Sequence, residues 1–270
     1  MNYRHAFHAG NFADCMKHAF LVALLRAMVR KDKPFLTLDT HAGVGRYDLT
    51  AGPAARTGEW RDGIAKISAA RLDALADYLG VIERLGLYPG SPAIAAALLR
   101  GGDRLVACEL HPEDARALKA EFANDPRVAV HRRDGYAALK AFLPPPERRA
   151  LVLVDPPYER QDEFDVLLAA LAGAYERFRS GVFVAWYPVK HRAPVRAFFE
   201  GLRLTSLRDV IALSLWVREP VDPARLNGCG LVVVNPPFGF EQAAPPILGA
   251  LAHVLGETGA GFAVERLIDE

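Results

Sequence analysis

The stretch Ala150-Leu-Val-Leu-Val-Asp155-Pro156-Pro157-Tyr158 closes an apolar run with an acid, two prolines and an aromatic ring. Two prolines in succession fix φ and remove backbone donors, so the carbonyl after the aspartate is held outward beside the carboxylate. The Asp155 carboxylate and the Pro156 carbonyl then form two acceptors at a fixed separation, which can take both hydrogens of an exocyclic amine. Tyr158 offers a face on which a flat base can stack. Asp155, Pro156 and Tyr158 are therefore the candidate catalytic group.

Three further features stand where apolar runs end. The turn Asp39-Thr-His41-Ala-Gly43-Val-Gly45 lets backbone approach a ligand that side chains would exclude. Glu109 follows Leu-Val-Ala-Cys, and Asp134 with Gly135 follows Val128–Val130. An acid at the end of a second strand can accept both ribose hydroxyls of a nucleoside cofactor, and open α/β sheets bind ligands outside the carboxyl ends of their strands. A nicotinamide fingerprint would need a third glycine where Asp48 stands, and no GxxxxGK[ST] loop occurs. Dinucleotide and nucleoside triphosphate readings both weaken.

The elements that must position these residues are short apolar runs at 34–39, 104–109, 127–131, 150–155, 181–187 and 229–234, with helical spacing between several of them. Such alternation predicts a mostly parallel sheet covered on both faces. Two stretches depart from it. Residues 12–30 read as a long amphipathic helix with Asn11 as N-cap. Residues 48–90 read as a helical insertion without a convincing strand, after which Ser91 as N-cap and Pro92 at the first helical position open a helix to Arg100. Its N-terminal amides suit a carboxylate.

Composition narrows the class. With 270 residues, 51% hydrophobic, the chain has a sizeable core. Its 33 Lys plus Arg against 32 Asp plus Glu give no global attraction for polyanions, so any nucleic-acid contact must use local patches. Cys15, Cys108 and Cys229 are too far apart for a CxxC metal or redox site, and no metal is expected. The charged start and the lack of a long apolar run lead to the expectation of a cytoplasmic protein that does not meet a membrane.

With these residues assembled, the chain resembles the RlmJ family, bacterial methyltransferases of adenine N6 in 23S ribosomal RNA. The resemblance spans nearly the whole length. It rests on Tyr3-Arg-His-Ala-Phe-His-Ala-Gly-Asn-Phe-Ala-Asp14, Lys17-His18, Leu38-Asp-Thr-His-Ala-Gly43, Tyr88-Pro-Gly-Ser-Pro92, Glu109-Leu-His111, Asp155-Pro-Pro-Tyr158 and Trp186-Tyr-Pro188. It implies a Rossmann-like class I fold with a seven-stranded, mostly parallel sheet, one methyltransferase domain over residues 1–270, and the helical insertion within it.

The resemblance also implies S-adenosylmethionine (SAM) as methyl donor, contacted by His18, His41, Gly43, Ser91, Glu109, Asp134 and Gly135, with Asp155 on the target amine. Tyr3, Arg4 and Lys17 would meet the RNA, which is expected naked or partly assembled, and the protein is expected to act as a monomer without an obligate protein partner. Apart from the resemblance, further local cations expected to face RNA are Arg30, Lys31, Lys33, Arg56, Arg61, Lys190, His191 and Arg192. A second proline pair, Asn235-Pro236-Pro237-Phe238, matches one that the family carries late in its sequence. In methyltransferase sheets of this type the last strand is antiparallel, so this copy is expected to be a structural turn. The rival readings are a DNA adenine-N6 methyltransferase and a non-catalytic RNA-binding protein on the same scaffold.

Overall fold

The structure, a computed structural model, describes residues 4–270. Its main sheet has eight strands: β1 (Leu36–Asp39), β2 (Arg104–Cys108), β3 (Val128–His131), β4 (Ala150–Val154), β5 (Val182–Val189), β6 (Val210–Trp216), β7 (Gly228–Val234) and β8 (Gly261–Ile268). Their spatial order is β8-β6-β7-β5-β4-β1-β2-β3. Strands β1 to β5 run parallel, whereas β7 lies antiparallel to both β5 and β6, and β8 antiparallel to β6. The expected seven-stranded sheet is thus enlarged by one: β8 pairs along β6 and forms an edge.

The described residues form ten α-helices, one ahead of β1 and the others between strands: α1 (Phe12–Val29), α2 (Gly52–Thr57), α3 (Ile64–Ala70), α4 (Ala76–Leu85), α5 (Ser91–Leu98), α6 (Pro112–Glu121), α7 (Gly135–Phe142), α8 (Glu163–Arg177), α9 (Arg192–Arg203) and α10 (Phe240–Leu255). Alternate residues of the strands feed two separate cores. Leu36, Leu38, Val106 and Val152 pack with Leu139, Leu171 and Phe198 of α7, α8 and α9. Leu105, Leu151 and Leu231 pack on the other face with α1, α5 and α10. A sheet buried on both faces must use near-continuous apolar strands, as β4 and β7 do.

Helix α1 starts where expected, the Asn11 side chain accepting from the Asp14 amide at 2.9 Å. It is not amphipathic, however. Thirteen of its residues are buried, because it is enclosed by β7, α4, α5 and α10 rather than laid on a surface. The insertion is helical through α2, α3 and α4, but its two ends are joined by a small antiparallel ribbon, Arg46–Tyr47 with Tyr88–Pro89, that the sequence reading did not foresee. Ile64, Ile67, Leu75 and Leu79 of the insertion belong to the same core as the sheet face under α1. Helix α5 begins one residue earlier than expected: Gly90 is its N-cap, Ser91 its first residue, and it ends at Leu98.

The second proline pair is set apart by topology. Val234 pairs with Phe183 near the start of β5, so Asn235 lies at the sheet edge opposite Asp155. Its side-chain amide donates to the carbonyls of Arg179 and Gly181, both at 2.7 Å, and Phe238 beyond it is 98% exposed. No helix among the described residues is long and apolar enough to cross a membrane.

Candidate active site

The carboxyl ends of β1, β2, β3 and β4 deliver Asp39, Glu109, Asp134 and Asp155 to one edge of the sheet. Two cavities open there. One of about 250 Å³ is walled by His41, Gly43, Glu109, Asp134 and Gly135. The other, about 460 Å³, is walled by Pro156, Tyr158, Trp186, Pro188 and Lys17. Asp155 lines both, and so does His5.

The smaller cavity is shaped by backbone. Glu109 accepts from the Gly43 amide at 3.0 Å and the His111 amide at 2.7 Å, which locks its carboxylate against the glycine turn. Burial raises the Glu109 carboxyl above its ordinary range. Gly43 sits at φ +63, and a Cβ there would lie 2.2 Å from the Tyr47 hydroxyl, so the turn requires glycine twice over. Gly135 is needed for close approach: a Cβ would stand 2.5 Å from both His41 Cε1 and the Thr40 carbonyl. Asp134 caps α7 by accepting from the Ala137 amide at 2.8 Å. The Thr40 hydroxyl holds His41 Nδ1 at 2.8 Å, and burial pushes the imidazole down to about 4.

Between the cavities a polar pocket is lined by Lys17, His41, Gly43, Ser91 and Asp155. The buried Asp39 carboxylate accepts from the His41 amide at 3.3 Å, and burial pushes its carboxyl up to about 6. These residues fit a SAM-like molecule by donor chemistry. Glu109 is an acceptor for ribose hydroxyls, the start of α7 offers Asp134 and unpaired amides to an adenine edge, and Ser91 opens a helix toward a carboxylate. The Gly135 approach leaves room that any side chain would fill.

In the larger cavity Tyr158 is fixed on every side. It adopts φ +51, donates its hydroxyl to the Trp186 carbonyl at 2.9 Å, and meets Phe164 and Trp186 edge to face. Lys17 Nζ lies 2.5 Å from Asp155 Oδ2 and 3.0 Å from Asp14 Oδ1. Asp14 also has His5 Nε2 at 3.2 Å and His18 Nε2 at 3.3 Å. Burial raises the Asp14 carboxyl, but its nitrogen neighbours His18, His5 and Lys17 outweigh that and hold it well below the usual range.

The family described as "Ribosomal RNA large subunit methyltransferase D, RlmJ" matches residues 32–268. The chain belongs to the RlmJ family. It is 41% identical over 271 residues to "Ribosomal RNA large subunit methyltransferase J" of Escherichia coli (strain K12), covering 97% of both chains. It is 40% identical over 280 residues to the protein of the same name from Haemophilus influenzae, covering 100% of both. A crystal structure of a protein from Legionella pneumophila superposes with a TM-score of 0.89 at 35% identity, covering 96% of this chain and 98% of that one.

Of the residues expected at the site from sequence, the structure gathers His41, Gly43, Ser91, Glu109, Asp134, Gly135, Asp155, Pro156 and Tyr158 around the cavities. His18 is not on the wall of any of the three. It is fully buried one layer behind, Nδ1 within 3.0 Å of the Tyr88 hydroxyl, and burial pushes it down to about 3. Lys17, expected to face RNA, is instead 5% exposed and committed to two carboxylates. Arg4, also expected on RNA, binds Glu113 at 3.0 Å and Asp114 at 2.5 Å. Tyr3 lies outside the described residues. The sequence reading passed over Asp14, although its spacing to Lys17 and His18, three and four residues on, puts all three on one helix face. His5, quoted there only as part of the N-terminal motif, lines both main cavities.

Proposed function

We propose that this chain transfers the methyl group of SAM to the N6 amine of an adenine in 23S ribosomal RNA. The observation that carries this reading is the position of Asp155, the one carboxylate of its Asp-Pro-Pro-Tyr motif, on the shared wall of the two cavities. Membership of the RlmJ family supports ribosomal RNA as substrate. When bound, SAM supplies an electrophilic methyl carbon on a sulfonium.

The chain's own residues position the reactants. Glu109, held by two backbone amides, would accept the ribose hydroxyls. Asp134 and the first turn of α7 would take the adenine end, and Ser91 the methionine carboxylate. On the substrate side, Asp155 and the Pro156 carbonyl would accept the two amine hydrogens, drawing the nitrogen lone pair out of conjugation with the ring. Lys17 now occupies Asp155 Oδ2, so an entering amine would replace one contact of the ammonium while Asp14 retains the other. Asp155 is then the nearest acceptor for the proton that the methylated nitrogen sheds. Tyr158, unable to turn, would stack on the base once it has left the RNA stack. Most of the rate gain comes from holding nitrogen and methyl carbon at near-attack distance.

The test is methyl transfer from labelled SAM into 23S ribosomal RNA transcripts and into duplex DNA, with nucleoside mass spectrometry of the product. N6-methyladenosine in the RNA alone is expected. Labelling of DNA alone, or of a base other than adenine, would overturn the reading. Asp155→Ala is expected to abolish transfer while RNA binding persists, which separates an enzyme from an RNA-binding protein on this scaffold.

A further inference from the structure

Beside the candidate site, a groove of about 230 Å³ runs between α6 and the edge strand β3. Pro112, Ala115 and Val130 form its apolar part, and Arg116, Lys119 and Arg132 surround it. All three cations are exposed. The acids that could neutralise them are engaged elsewhere. Glu113 and Asp114, in the first turn of α6, both bind Arg4, and Glu121 at its end binds Arg46 at 2.5 Å. Asp125, in the following turn, binds Arg127 at 2.6 Å. No ion pair joins Arg116, Lys119 or Arg132 among the described residues. In a chain with formal net charge +1, three uncompensated cations in one groove form a local field, not a share of a general one.

The groove also sits on the correct edge. Arg132 precedes Asp134 by two residues and Pro112 follows Glu109 by three, so both walls descend from residues of the smaller cavity. From β4, which carries Asp155, to β3 is three strand spacings, about 14 Å. The cavity beside Tyr158 and this groove are thus close enough for one polynucleotide strand to reach both.

We propose that the Arg116–Lys119–Arg132 groove binds the phosphate backbone of the RNA strand flanking the target adenine. This rests on the reading of the chain as an RNA methyltransferase and adds the surface that holds the substrate. Guanidinium forks suit phosphate oxygens bidentately, and Lys119 adds a point charge. The contacts are with backbone, so they set affinity and register and leave base choice to the Asp155 pocket.

The test replaces all three residues, Arg116→Gln, Lys119→Gln and Arg132→Gln, in the full chain and measures binding of a 23S ribosomal RNA transcript across a salt series. Loss of three phosphate contacts on a single strand should reduce the slope of log affinity against log salt by about 2 and weaken binding about tenfold at physiological salt. The RNA KM should rise with it, while SAM affinity, kcat at saturating RNA and the melting temperature stay at wild-type values. Arg132→Glu alone is expected to weaken RNA binding in the same direction. If wild-type protein binds and methylates RNA and the triple variant matches it in affinity and salt slope, the groove is not the docking surface. A fall in SAM affinity with RNA affinity unchanged would overturn the proposal too, by making the groove part of the cofactor site. Wild-type protein with no affinity for RNA would overturn both this proposal and the functional reading beneath it.

Discussion

Lys17 Nζ bridges Asp155 Oδ2 at 2.5 Å and Asp14 Oδ1 at 3.0 Å, which ties the carboxylate shared by the two cavities to the first turn of α1. The ammonium and the Asp14 carboxylate are almost wholly buried, with side-chain exposures of 6% and 1%. Removing one partner from a buried pair leaves the other charge uncompensated, which costs about 3–5 kcal/mol. Lys17→Met should therefore lower the free energy of urea unfolding by about 3 kcal/mol or more. Adding Asp155→Asn should recover part of the loss, because the second change removes a charge that the first left unpaired. Additive effects of the two substitutions would show that the bridge does not couple them.

Gly135→Ala tests the proposed SAM site in the smaller cavity without touching a charge. The new Cβ would lie 2.5 Å from His41 Cε1 and from the Thr40 carbonyl, both parts of rigid turns at strand ends. Either the β1 turn or the start of α7 must move, and a shift of this kind at a positioning site costs roughly tenfold or more. SAM affinity measured by calorimetry is expected to fall by that factor, with RNA affinity unchanged. Wild-type SAM binding in this variant would place the cofactor elsewhere.

The parts of the site legible in the sequence were those written in contiguous motifs at strand ends. Asp155-Pro-Pro-Tyr158, the glycine turn and Glu109 each announce themselves by an apolar run followed by an unusual residue type. The mostly parallel sheet was legible for the same reason, since its buried strands are continuous apolar segments. What the sequence does not display is whatever depends on tertiary enclosure. Lys17 and Arg4 look like surface cations in sequence, because nothing local shows that α1 is buried all round or that the acids of α6 face Arg4. Strand β8, Gly261–Ile268, carries Glu265 and Arg266 in its middle and is half exposed, so it lacks the apolar run that marked the others. The ribbon Arg46–Tyr47 with Tyr88–Pro89 pairs residues more than 40 positions apart over two residues each, too short to leave a periodic trace.

The buried histidines predict how stability depends on pH. Burial pushes His18 down to about 3 from an ordinary 6.5, so between these values the unfolded chain holds a proton that the folded chain does not. Stability then rises with pH across that window and is lost as pH falls below about 6.5. His41, pushed down to about 4, acts in the same direction. Asp39 acts oppositely: pushed up to about 6, it favours the fold at low pH and its contribution is lost as pH rises from the ordinary 3.8 through 6. One fully buried histidine accounts for about 2 kcal/mol between pH 6.5 and 5. Wild-type protein is expected to be less stable to urea at pH 5 than at pH 7, and His18→Gln should flatten that dependence. An unchanged pH slope in the variant would mean that His18 does not stay neutral inside the fold.

The two proline pairs give a last, discriminating comparison. Asn235 and Asp155 both end an apolar strand ahead of Pro-Pro and an aromatic, yet they stand on opposite edges of one sheet because β7 runs antiparallel to β5. Asn235 adopts φ +52, a conformation asparagine tolerates better than most residues, and its amide bridges the Arg179 and Gly181 carbonyls. Alanine there would lose two hydrogen bonds, each contributing about 1 kcal/mol, and would be strained in the left-handed region. Asn235→Ala should thus cost roughly 2–3 kcal/mol of stability, read as a lower urea midpoint with an unchanged m-value. At a temperature where it remains folded, kcat and the KM for RNA should equal those of wild type. Asp155→Ala, by contrast, should abolish methyl transfer while SAM binding persists. If Asn235→Ala lost activity while folded, the second pair would have to reach the substrate, and the antiparallel path of β7 leaves it no route to do so.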